Sequence, residues 1–364
     1  MRCIKNRVLR LKILVAGDDL IHSRLFQKYL EPRLRGTIDR LDFELYDVGP
    51  NENFSRELGE VKECWGRSEN LVERMHGVEV LVVNHAPVTA SVIRASSELR
   101  VIGCSRSDPS NVNVDEATRM GVPVLYTPGR NALAVAEYTL ALILALTRRI
   151  VEADRFVRGG NWKLDGHELL DSTLPELAGK TIGIVGFGEV GSRVGELASA
   201  FGMKILVHDP FVDGEKVRSM RGRLVELDTL MSESDVVTLH VRLPPSTKTR
   251  LIQKEQLVLM KNTAYLVNTS RSAAIDMSDL CEALRERRIA GLALDVFDRE
   301  PIQMNDPLLQ FDNLIITPHM AGMSNNVPIQ SCEMIADGIS EFLRGNRPKS
   351  IANPETLAGL QKTD

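Results

Sequence analysis

The chain is short of several features that would place it in a narrow class. Its five cysteines (Cys3, Cys64, Cys104, Cys281 and Cys332) are odd in number, scattered, and form no C-x-x-C pair. A disulfide framework and a zinc site are therefore not expected, no metal is expected, and the pattern fits reduced thiols in the cytoplasm. There is no basic excess: 45 Lys and Arg stand against 49 Asp and Glu, a net charge of −4, which argues against a nucleic-acid partner. No low-complexity tract and no repeat of solenoid period occurs. The start, MRCIKNRVLRLKILVAG, is basic, but its apolar run is short and leads into a strand-like segment, so no signal peptide is expected. The most apolar run, ALAVAEYTLALILAL (132–146), is shorter than the ~20 residues a bilayer needs and carries Glu137, so no membrane partner is expected either. It reads as a helix buried on every side, within a core or across a subunit boundary. Asn131 is its expected N-cap, and Arg148 and Arg149 suit its negative end. A homodimer through residues 131–157 follows from that reading.

What is present is a soluble enzyme's composition, 43% hydrophobic and 26% charged over 364 residues, enough for two domains. Strand-like runs fall at 12–17, 43–48, 78–84 and 99–104, then at 181–188, 204–210, 235–241, 264–269, 290–297 and 313–318. Several are unbroken Val/Ile/Leu stretches, as parallel strands covered on both faces require. Helical patterns alternate with them, so the fold class is α/β with two doubly wound parallel sheets. A helical stretch at 329–343 follows the last strand and can return to the first domain, making it discontinuous. The expected division is 1–122 with 318–364, against 123–317.

TIGIVGFGEVGSRVGELASAFG sets a buried strand before Gly186-x-Gly188-x-x-Gly191 and a helical pattern after it. In that context Gly186 permits the tight turn, Gly188 lets backbone approach a pyrophosphate, and Gly191 lets helix and strand close up. The phosphates would sit at the helix N-terminus. Asp209, 23 residues beyond Gly186, ends the second strand, where a carboxylate accepts from ribose hydroxyls and repels a 2′-phosphate. NAD is thus expected rather than NADP. Glycines serving packing alone are the alternative.

Three later strand exits carry Arg271 (LVNTSRS), Glu300 (LALDVFDREP) and His319 (IITPHMAG). Each alone is ordinary; together they make a chemical set. A nicotinamide exchanges a hydride with an alcohol carbon, so the alcohol proton must move too, and histidine titrates near working pH. A carboxylate orients the ring, and an arginine clamps a carboxylate in bidentate fashion. The implied substrate is a small 2-hydroxy or 2-oxo acid.

GIVGFGEVG, VNTSRS, GLALDVFDREP and TPHMAG, in that order, resemble the D-isomer-specific 2-hydroxyacid dehydrogenase family, particularly its phosphoglycerate-dehydrogenase-like branch, from residue 12 to 354. The resemblance implies a Rossmann NAD domain and a flavodoxin-like, discontinuous substrate domain, with the long helix building a dimer. It implies that Arg271 binds the substrate carboxylate, that Glu300 pairs with His319, and that His319 is the general acid/base. Glu189, Val190, Asp209, His240, Thr269, Ser270, Asp295, His319 and Gly322 would line the NAD site with Arg271 and the glycines. Ser272 stands where glycine is usual and Arg242 where proline is frequent. With its end near Asp364, the chain is expected to lack the regulatory domain of longer phosphoglycerate dehydrogenases. A glyoxylate or hydroxypyruvate reductase, and a non-enzymatic NADH-sensing corepressor-like protein, remain alternatives; a formate dehydrogenase would carry glutamine in place of Glu300.

CSRSDPSNVNV (104–114) leaves the fourth strand with Arg106, Ser107 and Asp108 where the family is glycine-rich. The resemblance puts this loop across the substrate cleft from Arg271, with Asn84, His85 and Ala86 facing the same place. Arg106 is expected to meet an anionic or hydroxyl-rich part of the substrate; a brace to Asp108 or Asp115 is the alternative.

Overall fold

The computed structural model describes residues 10–49, 54–162, 174–242 and 250–358. The chain forms two compact units, residues 1–130 with 324–364, and residues 131–323. In the first, β1 (Leu11–Gly17), β2 (Leu41–Asp47), β5 (Val80–Val83), β6 (Val101–Cys104) and β7 (Val124–Leu125) form a parallel sheet in the order β2-β1-β5-β6-β7. This is the flavodoxin-like order, in which the direction of winding reverses beside β1. Every residue of β5 and β6 is buried, as their apolar runs require of strands covered on both faces. One face packs on the helix Ser23–Leu34 through Phe26, Leu30 and Leu34, and on the helix Val327–Leu343 through Ile335 and Ile339. The late helix thus returns to the first unit, and Gly103 lets it come close: a Cβ there would stand 2.9 Å from Ile335 Cγ2. Between β2 and β5 lies an antiparallel hairpin of β3 (Phe54–Leu58) and β4 (Val61–Trp65), whose polar sequence carries no strand signal.

The second unit is a seven-stranded parallel sheet of β8 (Thr181–Val185), β9 (Lys204–His208), β10 (Arg223–Leu224), β11 (Val236–Leu239), β12 (Tyr265–Asn268), β13 (Gly291–Leu294) and β14 (Leu314–Ile316). Its order is β10-β9-β8-β11-β12-β13-β14, with the reversal beside β8. That is the Rossmann arrangement, which opens its ligand crevice at the carboxyl ends next to the switch point.

The units divide at 130/131 and 323/324, not at the expected 122/123 and 317/318. The two-residue strand β7 pairs with β6 and keeps residues up to 130 in the first unit. At the other end, hydrogen bonds from Asp295 and Glu300 hold the 317–321 loop in the second.

The helix Ala132–Thr147 is covered along only part of its circumference within one chain. Its buried line includes Ala136, Leu140, Ile143 and Thr147, but Leu133, Glu137 and Ala141 form an exposed one at helical spacing. Asn131 occupies the N-cap position without a capping side-chain bond; instead its amide packs on Gly322, where a Cβ would stand 2.5 Å from Asn131 Nδ2. The next helix, Ile150–Arg158, buries no side chain in this chain. Cys104, Cys281 and Cys332 are free thiols, and Cys3 lies outside the described residues. Among the described residues no helix is long and apolar enough to cross a membrane, and no cluster could hold a metal.

Candidate active site

At the switch point of the second sheet, the turn after β8 is shaped by glycine. Gly186 has φ +89, and a Cβ there would lie 2.7 Å from the His240 carbonyl oxygen. A Cβ on Gly191 would lie 2.0 Å from the Gly186 oxygen. Both are demanded by the protein's own backbone. Gly188 differs: it caps the helix Glu189–Ala200 with φ −74, and a Cβ there meets nothing within 4 Å. Open space in front of a helix N-terminus is the cradle a pyrophosphate needs, so the residues fit a dinucleotide. Glu189 is exposed in the first helical turn, whereas Val190 is half-buried and packs on the core. Asp209 Oδ2 accepts from Phe187 N at 2.7 Å and Oδ1 accepts from Phe211 N at 2.8 Å. It therefore ties the glycine turn to β9 while each oxygen keeps a lone pair for a ribose hydroxyl.

His240 follows β11. Its Nδ1 is buried without a hydrogen-bond partner among the described residues, and Nε2 lies 3.0 Å from Thr238 Oγ1. Burial pushes the imidazole down to about 3, so the ring is neutral at working pH.

Arg271, Glu300 and His319 emerge beyond β12, β13 and β14, three neighbouring parallel strands. Adjacent strands are about 4.8 Å apart, so the β12 and β14 exits lie about 10 Å from each other. Arg271 is exposed, with Nη1 donating to the Ser270 carbonyl at 2.8 Å. Its loop is pinned from beneath by Asn268, a buried residue not singled out from sequence. Asn268 Oδ1 accepts from Ser270 N and Oγ, and Nδ2 donates to the Arg271 carbonyl at 2.9 Å. Thr269 is buried and bonded to Thr139 Oγ1 at 2.8 Å. Its side chain supports the loop and cannot line the site as expected.

The resemblance pairs Glu300 with His319, and the two meet here: His319 Nδ1 lies 2.8 Å from Glu300 Oε2, while Oε1 accepts from Phe297 N at 3.0 Å. His319 is 53% exposed and has φ 52, a left-handed conformation histidine adopts more readily than most residues. Asp295 holds that turn. It was expected to line the NAD site; here it is buried, with Oδ1 accepting from Thr317 Oγ1 at 2.6 Å and Met320 N at 2.9 Å, and Oδ2 from Ala321 N at 2.8 Å.

The carboxyl edge of the first sheet carries its own polar cluster. Asn84 and Ala86, expected at the substrate, are buried supports: Asn84 Nδ2 donates to Asp18, its Oδ1 accepts from Ser105 Oγ, and the Ala86 carbonyl accepts from Asn111 Nδ2. Arg106 is engaged by Glu63, through both the carboxylate and the carbonyl oxygen at 2.6 Å. Ser107 Oγ is buried with no hydrogen-bond partner among the described residues. His85 remains partly open. Sequence reasoning passed over Asp18, Asn111, Asn268 and Thr317; Asp18, Asn268 and Thr317 stand at the ends of β1, β12 and β14, and Asn111 lies seven residues beyond β6, so no spacing singles them out.

A Rossmann sheet with this glycine turn and a carboxylate-held histidine defines a nicotinamide-dependent oxidoreductase. The model of the family described as D-isomer specific 2-hydroxyacid dehydrogenase, NAD binding domain, matches residues 140–321. A glyoxylate reductase of Korarchaeum cryptofilum (strain OPF8) is 39% identical over 79% of this chain and 86% of its own length. A D-3-phosphoglycerate dehydrogenase of Methanocaldococcus jannaschii is 37% identical over 82% of this chain and 56% of its own length. A solved protein from Thermus thermophilus superposes with a TM-score of 0.72 at 30% identity, covering 94% of this chain and 100% of that one. The chain belongs to the D-isomer-specific 2-hydroxyacid dehydrogenase family. Its second unit is the NAD-binding domain.

The neutral His240 generates a pH-dependent stability. In the unfolded chain the ring takes a proton near its ordinary 6.5, whereas in the fold it does so only near about 3. The unfolded state thus binds more protons between those values, and stability falls as pH drops through that window. His240→Gln should remove this part of the loss. Urea midpoints should show the variant gaining on the parent between pH 7 and pH 4.5; a constant difference would count against a buried neutral imidazole.

Proposed function

We propose that the chain reduces a small 2-oxoacid of the glyoxylate or hydroxypyruvate type with NADH, and that Arg271, Glu300 and His319 carry the reaction. The observation that carries this reading is the 2.8 Å contact between His319 Nδ1 and Glu300 Oε2, two strand exits from Arg271. NADH, when bound, supplies the hydride that goes to the substrate's C2. The Arg271 guanidinium binds the substrate carboxylate and orients the C2 carbonyl. The ring of His319, held through Nδ1, presents Nε2 and gives its proton to the carbonyl oxygen as that oxygen gains charge. Glu300 favours the imidazolium before transfer and keeps the ring aligned after it. In the oxidation direction the same nitrogen takes the hydroxyl proton. Gly186, Gly188 and Gly191 would hold the pyrophosphate, with Glu189, Ser270 and Gly322 around the cofactor and Asp209 at the ribose.

The first unit is read as the substrate domain. The engagement of Arg106 by Glu63 favours a substrate without a phosphate, since the cation expected to answer one already has a carboxylate. The free thiols of Cys104, Cys281 and Cys332 suit a cytoplasmic setting.

His319→Ala should lower turnover by ~10²–10⁴-fold while NADH binding is kept. Glu300→Gln should be milder, because the amide still reaches Nδ1 but holds the ring less firmly. Turnover equal to the parent's in a folded Glu300→Gln would refute the pairing. No turnover of either oxoacid with NADH bound would favour the sensor alternative.

Asp209→Ala should weaken NADH and raise the NADPH-to-NADH ratio of kcat/KM. Equal efficiency of the parent protein with both cofactors would sink the electrostatic argument for Asp209.

The assembly we propose is a homodimer through residues 131–157. Ile150 is 54% and Val157 48% exposed on a helix that buries nothing in its own chain, and Leu133 of the preceding helix is also open. A second copy is the natural cover for such a face. Sedimentation should give a dimer at micromolar concentration, and Ile150→Asp with Val157→Asp should give a monomer; a monomeric parent protein would reject the interface.

A further inference from the structure

An open cavity of about 530 Å³ lies within the second unit, between the helix Met277–Arg285 and the chain that follows β13. The helix contributes Met277, Cys281 and Arg285, which share one face at a spacing of four. Phe297, Asp298 and Arg299 line it from the β13 exit, and Pro307 and Leu308 complete the wall. None of these side chains has a part in the dinucleotide cradle or in the reaction assigned to Arg271, Glu300 and His319. The volume is that of sites for small organic ligands, roughly 300–1,000 Å³.

The apolar part of the wall belongs to the core of the unit. Leu308 is 5% exposed, and Met277, Cys281 and Phe297 pack against the same cluster. Burial pushes the Cys281 thiol up, the Asp306 carboxylate adds to that, and Arg285 opposes it. At neutral pH the sulfur is therefore a protonated, weakly polar surface and not a nucleophile.

The charges around that surface do not cancel. Glu282 takes Lys254 Nζ at 2.8 Å, and Asp298 meets the Arg250 guanidinium at 3.2 and 3.4 Å, so both carboxylates are answered by cations outside the lining. Asp306 spends Oδ1 on Leu308 N at 3.0 Å. Arg285 and Arg299 are exposed and make no hydrogen bond or ion pair among the described residues. Two unanswered guanidinium groups thus flank an apolar wall, against one carboxylate that already caps a turn. A guanidinium fork matches a carboxylate, and the wall matches a hydrocarbon body.

We propose that this cavity binds a small monocarboxylate with an apolar body, its carboxylate held by Arg285 and Arg299 and its body laid against Phe297, Cys281 and Leu308. The site stands apart from the reaction assigned to the chain and does not depend on it.

Cys281 supplies a local readout. Its alkylation by iodoacetamide at mildly alkaline pH, followed on its own peptide by mass spectrometry in the full chain, should be slowed several-fold by 4-phenylbutyrate. The uncharged 4-phenylbutanol, with the same body, should protect far less. Arg285→Ser and Arg299→Ser should each raise the half-protecting concentration of the acid about tenfold, the scale of one charge-assisted hydrogen bond. In the double variant acid and alcohol should become equivalent. Arg271→Ala should leave the protection unchanged. Calorimetric titration of Cys281→Ser with the same two compounds should repeat the preference for the acid without using the thiol. Equal binding of acid and alcohol to the parent protein, or binding of neither, overturns the proposal. So does a preference for the acid that survives in the folded double variant, or one that disappears in Arg271→Ala, which would place the acid at the reacting edge instead.

Discussion

The catalytic edge depends on one buried carboxylate. Asp295 ends β13 and gathers three donors, the Thr317 hydroxyl and the amides of Met320 and Ala321, from the loop leaving β14. His319 sits inside that span with a left-handed backbone that a non-glycine residue keeps only when its neighbours impose it. Three bonds to one rigid strand end are such an imposition. They aim the imidazole at Glu300, which is itself anchored through Phe297 N. Remove Asp295 and the pair loses its geometry before either member is touched. Asn268 has the same role at β12, holding the Ser270 amide and hydroxyl and the Arg271 carbonyl. Each exposed reactive group of the second unit thus stands on a buried polar residue at the end of a strand.

This arrangement explains why some of the site was legible in the sequence and some was not. The strands announce themselves as unbroken aliphatic runs, and parallel sheets deliver every exit to one edge. Arg271, Glu300 and His319 could therefore be grouped without knowing a single distance. The supports are different. Thr317 and Asn268 precede the reactive residues by two and three positions and look like ordinary loop polarity. Asp295 was noticed as a candidate for the cofactor, but its hold on the 317–321 loop was not readable, because the three donors lie on another strand's exit. Nor does proximity in sequence to a loop say that the side chains of Asn84 and Ala86 turn inward.

The helix Ala132–Thr147 shows a different limit. Its composition is so apolar that burial on all sides follows from averages, yet Glu137 falls on the same line as Leu133 and Ala141, and that line stays open. Mean hydropathy says that the helix is covered, whereas the spacing of four picks out the line that one chain leaves open. The hairpin β3–β4 went unread for the opposite reason. Its segment is charged, and Glu63, the residue that engages Arg106, has φ 51, which no propensity scale anticipates.

The two histidine–carboxylate pairs are built in contrasting ways. In the second unit the ring is 53% exposed, its carboxylate is reachable, and few other groups restrain it. A group that must gain and lose a proton in each cycle needs that access, because a buried ring bound on every side pays desolvation whenever its charge changes. In the first unit the Asp18 carboxylate is 1% exposed and shared among several donors, and the His85 ring is stacked on Trp65 and held by its own backbone. Such a pair is held in one geometry by its surroundings. Residue type alone would class the two together; burial and the number of donors on each carboxylate separate a proton carrier from a fixed hydrogen-bonding partner.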